Sequence, residues 1–295
     1  MTLTIAENFR GIFYIPFYVL RELALVQDEG LSVEWLPPGS PGGAINEVKA
    51  GRIDLTWGGP MRVMIDHDLT PDNTERLVSV SQAVGRDPFC LLANRSGIAL
   101  KDLTDQRVAI VHEVPTPWLC LQADLADLGI ALPKRLRTDL GMQAQLEALA
   151  RAEVDVIQAF EPFVSQALRD GKASLVYEAS SRGPTVYTTF IASRQTLVNR
   201  ALEIGRLDRA LGRALTWMRT NDPVATTELV QSYFPDLAPA DLNDSVIRYL
   251  GNRVWSDTTR VDKVGFDRLS DSFFRGGAIS APANFANCVF NFGDL

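Results

Sequence analysis

The apolar positions along the first hundred residues alternate between two spacings. An apolar run at residues 3–6 and a segment at 31–36, in which every second residue is apolar, predict strands. Residues 15–30 have apolar side chains at helical spacing and end at a glycine, which predicts a helix. Further segments continue the alternation, with a helix at 42–51 and strands at 53–57 and 76–84. Helices between strands imply parallel β-α-β units with helices on both faces of a sheet.

The same alternation restarts near residue 107, and beyond residue 194 the pattern is mostly helical. The predicted elements of this part are strands at 107–112, 154–160, 173–178 and 185–193, and helices at 117–129, 142–153, 162–171 and 206–223. We therefore expect an α/β protein.

Two stretches, 49–60 and 151–162, follow one order of features. In each, a helix ends, a β-branched residue and an aspartate follow (Ile53-Asp54 and Val154-Asp155), and a mainly apolar strand leads to a proline. Each stretch alone is common in α/β proteins, but the match is what two similar lobes would produce.

No long linker separates the two patterns, so strands are expected to cross between the lobes at 85–94 and 185–193. A chain that crosses twice builds one lobe from its first and last thirds. The expected division is lobe 1 at residues 1–87 and 192–295, and lobe 2 at residues 88–191.

Composition narrows the possible partners and cofactors. The 295 residues are 46% hydrophobic and 22% charged, which is ordinary for a globular protein. A net charge of −7 argues against nucleic acid and anionic membranes as partners. The three cysteines, Cys90, Cys120 and Cys288, form no CxxC pair, so neither a disulfide framework nor a metal site is expected. No cofactor motif is present either.

The first residues, MTLTIAENFRG, lack the basic and long apolar regions of a secretory signal. No run of about 18 apolar residues exists, so no membrane insertion is expected. The chain as given is expected in the cytoplasm. If a leader was removed, the expectation is a periplasmic or lipid-anchored extracytoplasmic protein.

The usual catalytic motifs, GxGxxG, GxxxxGK[ST], GxSxG and HExxH, are missing. Only two histidines occur; His67 lies in a polar turn and is expected to be solvated, whereas His112 ends a strand beside Glu113. Strand ends face the ligand crevice in parallel sheets, so His112 is a candidate ligand contact. We expect no catalytic residues.

Turns from strand to helix carry the positive signals. Gly58-Gly59 followed by Pro60 allows a ligand to approach the backbone at a helix N-terminus, which favours anions. The alternative is that the two glycines only form a tight turn. Ser40 precedes a similar helix start, and Thr116, expected as an N-cap, lies near the Trp118 ring at a third.

Aromatic rings beside a single arginine follow the first strand, and a glutamate, Glu161, lies at the matching turn of the second lobe. Such rings and a guanidinium can hold a planar or anionic ligand, while Glu161 can accept a hydrogen bond from it or pair with an arginine. The candidate ligand-binding residues are Phe9, Arg10, Tyr14, Ser40, Trp57, Gly58, Gly59, His112, Glu113, Thr116, Trp118 and Glu161.

Several of these segments resemble a known superfamily. The motifs are Glu29–Glu34 (EGLSVE), Ala50–Leu55 (AGRIDL) and the second-lobe segment ALARAEVDVIQAFEPFVSQAL. They resemble the type 2 periplasmic-binding-protein superfamily, in the branch of sulfonate, nitrate and taurine binding proteins and thiamine-pyrimidine synthase-like proteins. The resemblance covers about residues 3–220. It implies two α/β lobes with a ligand cleft between them that closes like a hinge.

The resemblance implies a solute-binding protein that delivers a small organic molecule, anionic or heteroaromatic, to an ABC transporter permease. The alternatives are a cytoplasmic enzyme or ligand sensor on the same fold, and a regulatory domain of a larger protein. The pyrimidine synthases carry a lysine and a histidine where Gly58 and Arg62 stand here, and a cysteine-rich stretch where GPTVYTTF stands. Desulfinase-like relatives use a cysteine near the N-terminus, whereas the first cysteine here is Cys90. These departures argue against an enzyme.

Overall fold

The computed structural model describes residues 2–39, 42–70, 76–111 and 114–293. The chain divides into two compact units, Met1–Arg86 with Pro184–Leu295, and Asp87–Gly183. Within the described ranges, no helix combines the length and the apolar character that crossing a membrane requires.

The first unit contains one five-stranded sheet surrounded by helices. Its strands are β1 (Thr2–Ala6), β2 (Ser32–Leu36), β3 (Leu55–Gly58), β4 (Leu77–Val84) and, counted in chain order after the second unit, β10 (Thr188–Ser193). Its helices are α1 (Ile15–Glu22), α2 (Leu25–Asp28), α3 (Ala44–Lys49), α4 (Met61–Leu69), α8 (Arg194–Asn199), α9 (Ala201–Thr220), α10 (Pro223–Val230), α11 (Pro239–Gly251), α12 (Lys263–Arg275) and α13 (Phe285–Cys288), with short 3-10 turns at Ile12–Tyr14 and Gln231–Tyr233. The sheet order is β2-β1-β3-β10-β4, and only β10 runs against its neighbours.

The second unit repeats this arrangement. Its strands are β5 (Cys90–Ala93), β6 (Arg107–Ala109), β7 (Arg135–Arg137), β8 (Val156–Ala159) and β9 (Ser174–Glu178). Its helices are α5 (Thr116–Asp127), α6 (Met142–Ala150) and α7 (Phe163–Arg169), with 3-10 turns at Leu100–Asp105 and Ala179–Arg182. The order is β7-β6-β8-β5-β9, and β5 is the antiparallel strand. The predicted fold class, two mostly parallel sheets flanked by helices, is confirmed.

One predicted helix is broken. The pattern at 15–30 predicts a single helix, but the structure ends α1 at Glu22 and starts α2 at Leu25, because Ala24 adopts a left-handed φ of 52°. A left-handed residue ends a helix. The break turns Leu25 and Val26 into the core, where α2 packs on α9.

The two matching aspartates tie neighbouring strands together. Asp54 accepts the backbone N–H of Thr4 at 2.8 Å, and Asp155 accepts that of Arg107 at 2.9 Å. In both units the aspartate just before the third parallel strand therefore binds the first, at the middle of β1 and at the start of β6. The sequence repeat thus has a structural cause, because each carboxylate fixes the pairing of two central strands.

A buried ionic cluster fixes the ends of the second unit. The Arg182 guanidinium lies between the carboxylates of Asp87 and Asp124, and the Tyr177 hydroxyl donates to Asp124 at 2.9 Å. Burial raises the pKa of Asp87, while the nearby Arg182 acts against that rise. Because Asp87 begins the unit and Arg182 lies near its end, the cluster joins the two chain segments that enter and leave it.

The stability of the second unit is expected to depend on Asp155 in acid. Hydrogen bonds from Arg107 lower the pKa of Asp155 from 3.8 to about 2. A lowered carboxyl pKa stabilises the fold above the ordinary pKa, and this contribution is lost as the pH falls through about 2. We predict that Asp155→Asn lowers the free energy of unfolding at pH 7 and flattens its decline in acid. Urea titrations from pH 7 to pH 2 measure both. Glu147→Gln, at an exposed pair with Arg151, is the control and should leave the profile unchanged.

Candidate functional site

The strand order of the first unit defines where a ligand is expected. The connection from β1 leads to β2 on one side, and the connection from β2 returns past β1 to β3 on the other, so the strand order reverses between β1 and β3. Ligands of open α/β sheets bind beyond the carboxyl ends of the strands at such a point. Asn8 follows β1 here, and Gly58 is the last residue of β3.

Asn8 organises the polar groups at this point. Its Oδ1 accepts the backbone N–H of Gly42 at 2.7 Å, and its Nδ2 donates to the Tyr14 hydroxyl at 3.5 Å. A Cβ built on Gly58 would lie 3.3 Å from Asn8 Nδ2 and 3.5 Å from Arg62 Nε. Since both side chains lie against the bare face of Gly58, a larger residue there would displace them.

Arg62 is a partly buried cation without an acidic partner among the described residues. Its Nε is buried and makes no hydrogen bond within that part of the chain, and its guanidinium packs against Gly42. Burial lowers the pKa of Arg62, and the nearby Tyr14 acts in the opposite sense. An arginine nevertheless keeps its charge in proteins, so no carboxylate of the described residues compensates this charge.

The position of Arg62 adds to this imbalance. The residue lies in the first turn of α4, which contains no acidic side chain. The N-terminus of a helix carries a partial positive charge, which disfavours a cation and favours an anion. Burial also raises the pKa of Tyr14, which keeps its hydroxyl a hydrogen-bond donor. The arrangement is therefore a set of donors suited to a negatively charged group.

Arg10, the arginine emphasised by the sequence, is already engaged. It donates to both oxygens of buried Glu7, at 2.6 and 3.1 Å, and to the carbonyl of Tyr233 at 3.0 Å. Its guanidinium also lies over the rings of Tyr18 and Tyr233, at 5.2 and 5.0 Å. These contacts fix the loop that follows β1, and they direct three of the arginine's donors to protein groups.

The aromatic candidates differ in their burial and in the rings that they contact. Trp57 is buried and stacks on Phe17 with ring centroids 4.6 Å apart, and its Nε1 has no hydrogen-bond partner in the described chain. Phe9 is partly buried and meets the Tyr14 ring edge-on at 5.2 Å. A Cβ at Gly59 would lie 3.4 Å from Met61 Cγ and 3.6 Å from the Tyr187 carbonyl oxygen, which are ordinary packing distances.

The remaining first-unit candidate, Ser40, and two second-unit candidates, His112 and Glu113, lie outside the described residues. Thr116 is the first residue of α5 rather than its N-cap, and its side chain makes no capping hydrogen bond, because the helix begins one residue earlier than expected. Trp118 is partly buried against an apolar cluster that includes Leu121. The ligand roles of these residues stay predictions.

Glu161 has a structural task in the second unit. Its two carboxylate oxygens accept the backbone N–H of Ser165 at 3.0 Å and the Ser165 hydroxyl at 2.8 Å. The carboxylate thereby accepts a free backbone N–H in the first turn of α7, where a negative charge is favourable. A direct contact of Glu161 with a ligand also stays a prediction.

His67 is not solvated as expected. The ring is partly buried, its Nε2 lies 2.9 Å from the Leu77 carbonyl, and its Nδ1 lies 3.3 Å from an Arg76 nitrogen. Burial lowers its pKa. His67 thus lies within α4, and its ring contacts the start of β4. The described residues contain no cluster of three or more acidic, histidine or cysteine side chains that could hold a metal ion.

Sequence reasoning did not select Asn8 or Arg62 as candidate ligand contacts. Arg62 did have a signal, since it lies two residues after Pro60 in the first turn of a predicted helix. For Asn8 the only signal in the sequence is its position directly after a predicted strand. Neither signal shows that Arg62 has no carboxylate partner among the described residues, which depends on its packing against Gly42 and Gly58.

The fold is that of solved periplasmic binding proteins. The periplasmic aliphatic sulphonate binding protein SsuA from Escherichia coli matches with a TM-score of 0.79 and 16% identity, over 100% of this chain and 93% of that chain. The alkanesulfonate-binding protein SsuA from Xanthomonas axonopodis pv. citri, bound to MOPS, matches with a TM-score of 0.73 and 18% identity, over 99% and 98%. At these identities the likeness establishes the fold.

The family follows from the sequence. A family model described as NMT1/THI5 like matches residues 13–225, so the chain belongs to the NMT1/THI5-like family. The binding protein YtlA of Bacillus subtilis (strain 168) is 20% identical over 301 residues, which cover 93% of this chain and 83% of that relative. The resemblance recognised in the sequence is thereby confirmed.

The two arginines are expected to have opposite effects on stability. Arg10→Ala leaves the buried Glu7 carboxylate without its cation and should lower the free energy of unfolding by about 1–3 kcal/mol. Arg62→Gln removes an uncompensated charge and should leave the free energy of unfolding unchanged or raise it. Urea titrations of the ligand-free variants measure the difference. Equal losses in both variants would contradict the difference in ion pairing between Arg10 and Arg62.

Proposed function

We propose that this protein is the solute-binding component of an ABC-type importer and that it holds a small organic anion at Arg62. The uncompensated guanidinium in the first turn of α4 carries the proposal. Asn8, Tyr14, Gly58 and Gly59 are proposed to complete this part of the site. The ligand-binding relatives, two of which are named as sulfonate binders, support the choice of an anion.

The physical argument is charge compensation. Removing a cation from water without giving it a partner costs free energy. A bound anion offsets this cost and forms charge-assisted hydrogen bonds with the cation. The Asn8 amide donates one N–H to the Tyr14 hydroxyl, which leaves its second N–H and the hydroxyl proton of Tyr14 to donate to a ligand. The carboxylate of Glu7 does not oppose an anion, since Arg10 neutralises it.

The proposed role is binding without chemistry. The positions of the synthases' lysine and histidine are occupied by Gly58 and Arg62, and an arginine is a poor general base because it does not lose its proton. We further propose an extracytoplasmic location and a transporter permease as the protein partner. Both proposals follow the periplasmic relatives.

A thermal-shift screen tests the ligand class. The panel contains ethanesulfonate, taurine, nitrate, benzoate, an aminopyrimidine and a flavin. We expect an anion to raise the melting temperature in a concentration-dependent way, because it binds the native state only. The compound should be recovered unchanged. Its consumption would instead support an enzyme, and a response limited to the uncharged compounds would contradict the anion site.

Arg62→Gln and Arg76→Gln form a matched pair for this experiment. Both arginines have a buried Nε without a partner in the described chain, but Arg76 lies before β4 and contacts His67. Loss of charge-assisted hydrogen bonds should weaken anion binding about 10- to 100-fold in Arg62→Gln. Arg76→Gln should bind as the unmodified protein does. Equal affinity in Arg62→Gln would overturn the role of Arg62.

A further inference from the structure

The strand β10 carries a threonine hydroxyl that is buried in the first unit. Thr189 is fully buried, and its Oγ1 has no hydrogen-bond partner within the described residues. A threonine hydroxyl can donate one hydrogen bond and accept two. Buried polar groups in native proteins are rarely left unpaired, and those that are call for an explanation.

The register of the sheet places Thr189 at the anion site. Thr189 is paired directly with Gly58 in the antiparallel ladder of β10 and β3. Directly opposed residues project from the same face of the sheet, with Cβ positions about 5 Å apart. The position that a Cβ on Gly58 would occupy is 3.3 Å from Asn8 Nδ2 and 3.5 Å from Arg62 Nε. Thr189 therefore faces the same space over Gly58 as these two donors.

The sheet is distorted on both sides of this residue. Along β10 the partners on β4 change from Val84 opposite Thr188, to Gln82 opposite Thr189, to Val80 opposite Phe190. Each step on β10 therefore passes two residues of β4, which is the signature of a bulge.

One of the residues passed over has a strained backbone. Ser81 has a left-handed φ of 53°, which is unfavourable for a residue other than glycine. Bulges commonly redirect a side chain beside a functional site, and strained backbone is concentrated at such sites. The distortion is thus centred on the residue that has the unpaired hydroxyl.

We propose that Thr189 is a ligand-contacting residue that sets the specificity of the Arg62 site. Its hydroxyl donates a hydrogen bond to the anion held by Arg62 and Asn8. This inference rests on the proposed function. Arg62 supplies donors from α4, Asn8 and Tyr14 supply them from the residues after β1, and Thr189 adds one from β10. Donors on three sides suit an anion with three oxygens, such as a sulfonate or nitrate, better than a carboxylate with two.

The test compares Thr189→Val, Thr189→Ser and Thr226→Val by calorimetric titration with ethanesulfonate, nitrate and acetate. Valine keeps the shape of threonine without its hydroxyl, and serine keeps the hydroxyl. Thr226 is the matched control, because its Oγ1 on α10 is also buried and unpaired in the described chain. Melting temperatures without ligand report folding.

We expect Thr189→Val to bind ethanesulfonate and nitrate about 10- to 100-fold more weakly, the usual effect of losing one hydrogen bond to a charged group. Acetate binding should change less than about threefold. Thr189→Ser should restore most of the affinity, and Thr226→Val should leave it unchanged. If Thr189→Val does not fold, the smaller Thr189→Ala takes its place.

The outcomes separate this inference from the proposed function. If Thr189→Val binds all three anions normally while Arg62→Gln does not, the role of Thr189 is overturned and the Arg62 site stands. An equal loss in Thr226→Val would also overturn it. If the unmodified protein binds none of the three anions, the anion site fails as a whole, and the role of Thr189 fails with it.

Discussion

The side-by-side pairing of β1 and β3 is the constraint on which the first unit's site depends. Asp54 fixes the start of this pair through the Thr4 N–H, and the Thr56 hydroxyl donates to the Ala6 carbonyl at 2.8 Å near its end. With the register fixed, the carboxyl ends of β1 and β3 lie side by side at one edge of the sheet. Asn8, which follows β1, and Gly58, which ends β3, are therefore brought together by the pairing of the strands.

Burial and partners give two arginines of the same unit different tasks. Arg10 lies beside a buried carboxylate and two tyrosine rings, so its charge is used to hold the loop after β1. Arg62 is placed at a helix N-terminus with no described carboxylate beside it. A bound counterion would stabilise the folded state by compensating such a charge.

The two units share one strand order, but side chains of opposite charge lie at the starts of the helices that follow their third parallel strands. In each unit a helix follows the third parallel strand, α4 after β3 and α7 after β8. The first turn of α7 is served by the Glu161 carboxylate, whereas the first turn of α4 contains Arg62. The N-terminus of α7 is thus already neutralised by the Glu161 carboxylate, whereas the N-terminus of α4 has the additional positive charge of Arg62. This difference makes the first unit the stronger candidate for holding an anion.

The sequence by itself determined the alternation of strands and helices, the repeat containing Asp54 and Asp155, and the turn at Gly58. These features depend on local periodicity and on turn residues, which act over a few positions of the chain. The tertiary structure decided that Arg10 is paired, that Arg62 has no carboxylate partner in the part of the chain that is described, and that Thr189 lies opposite Gly58. The short strand β7 and the break at Ala24 were likewise decided by packing. The physical reason is that partners and register join residues distant in the chain, and no local pattern records which distant groups will be buried together.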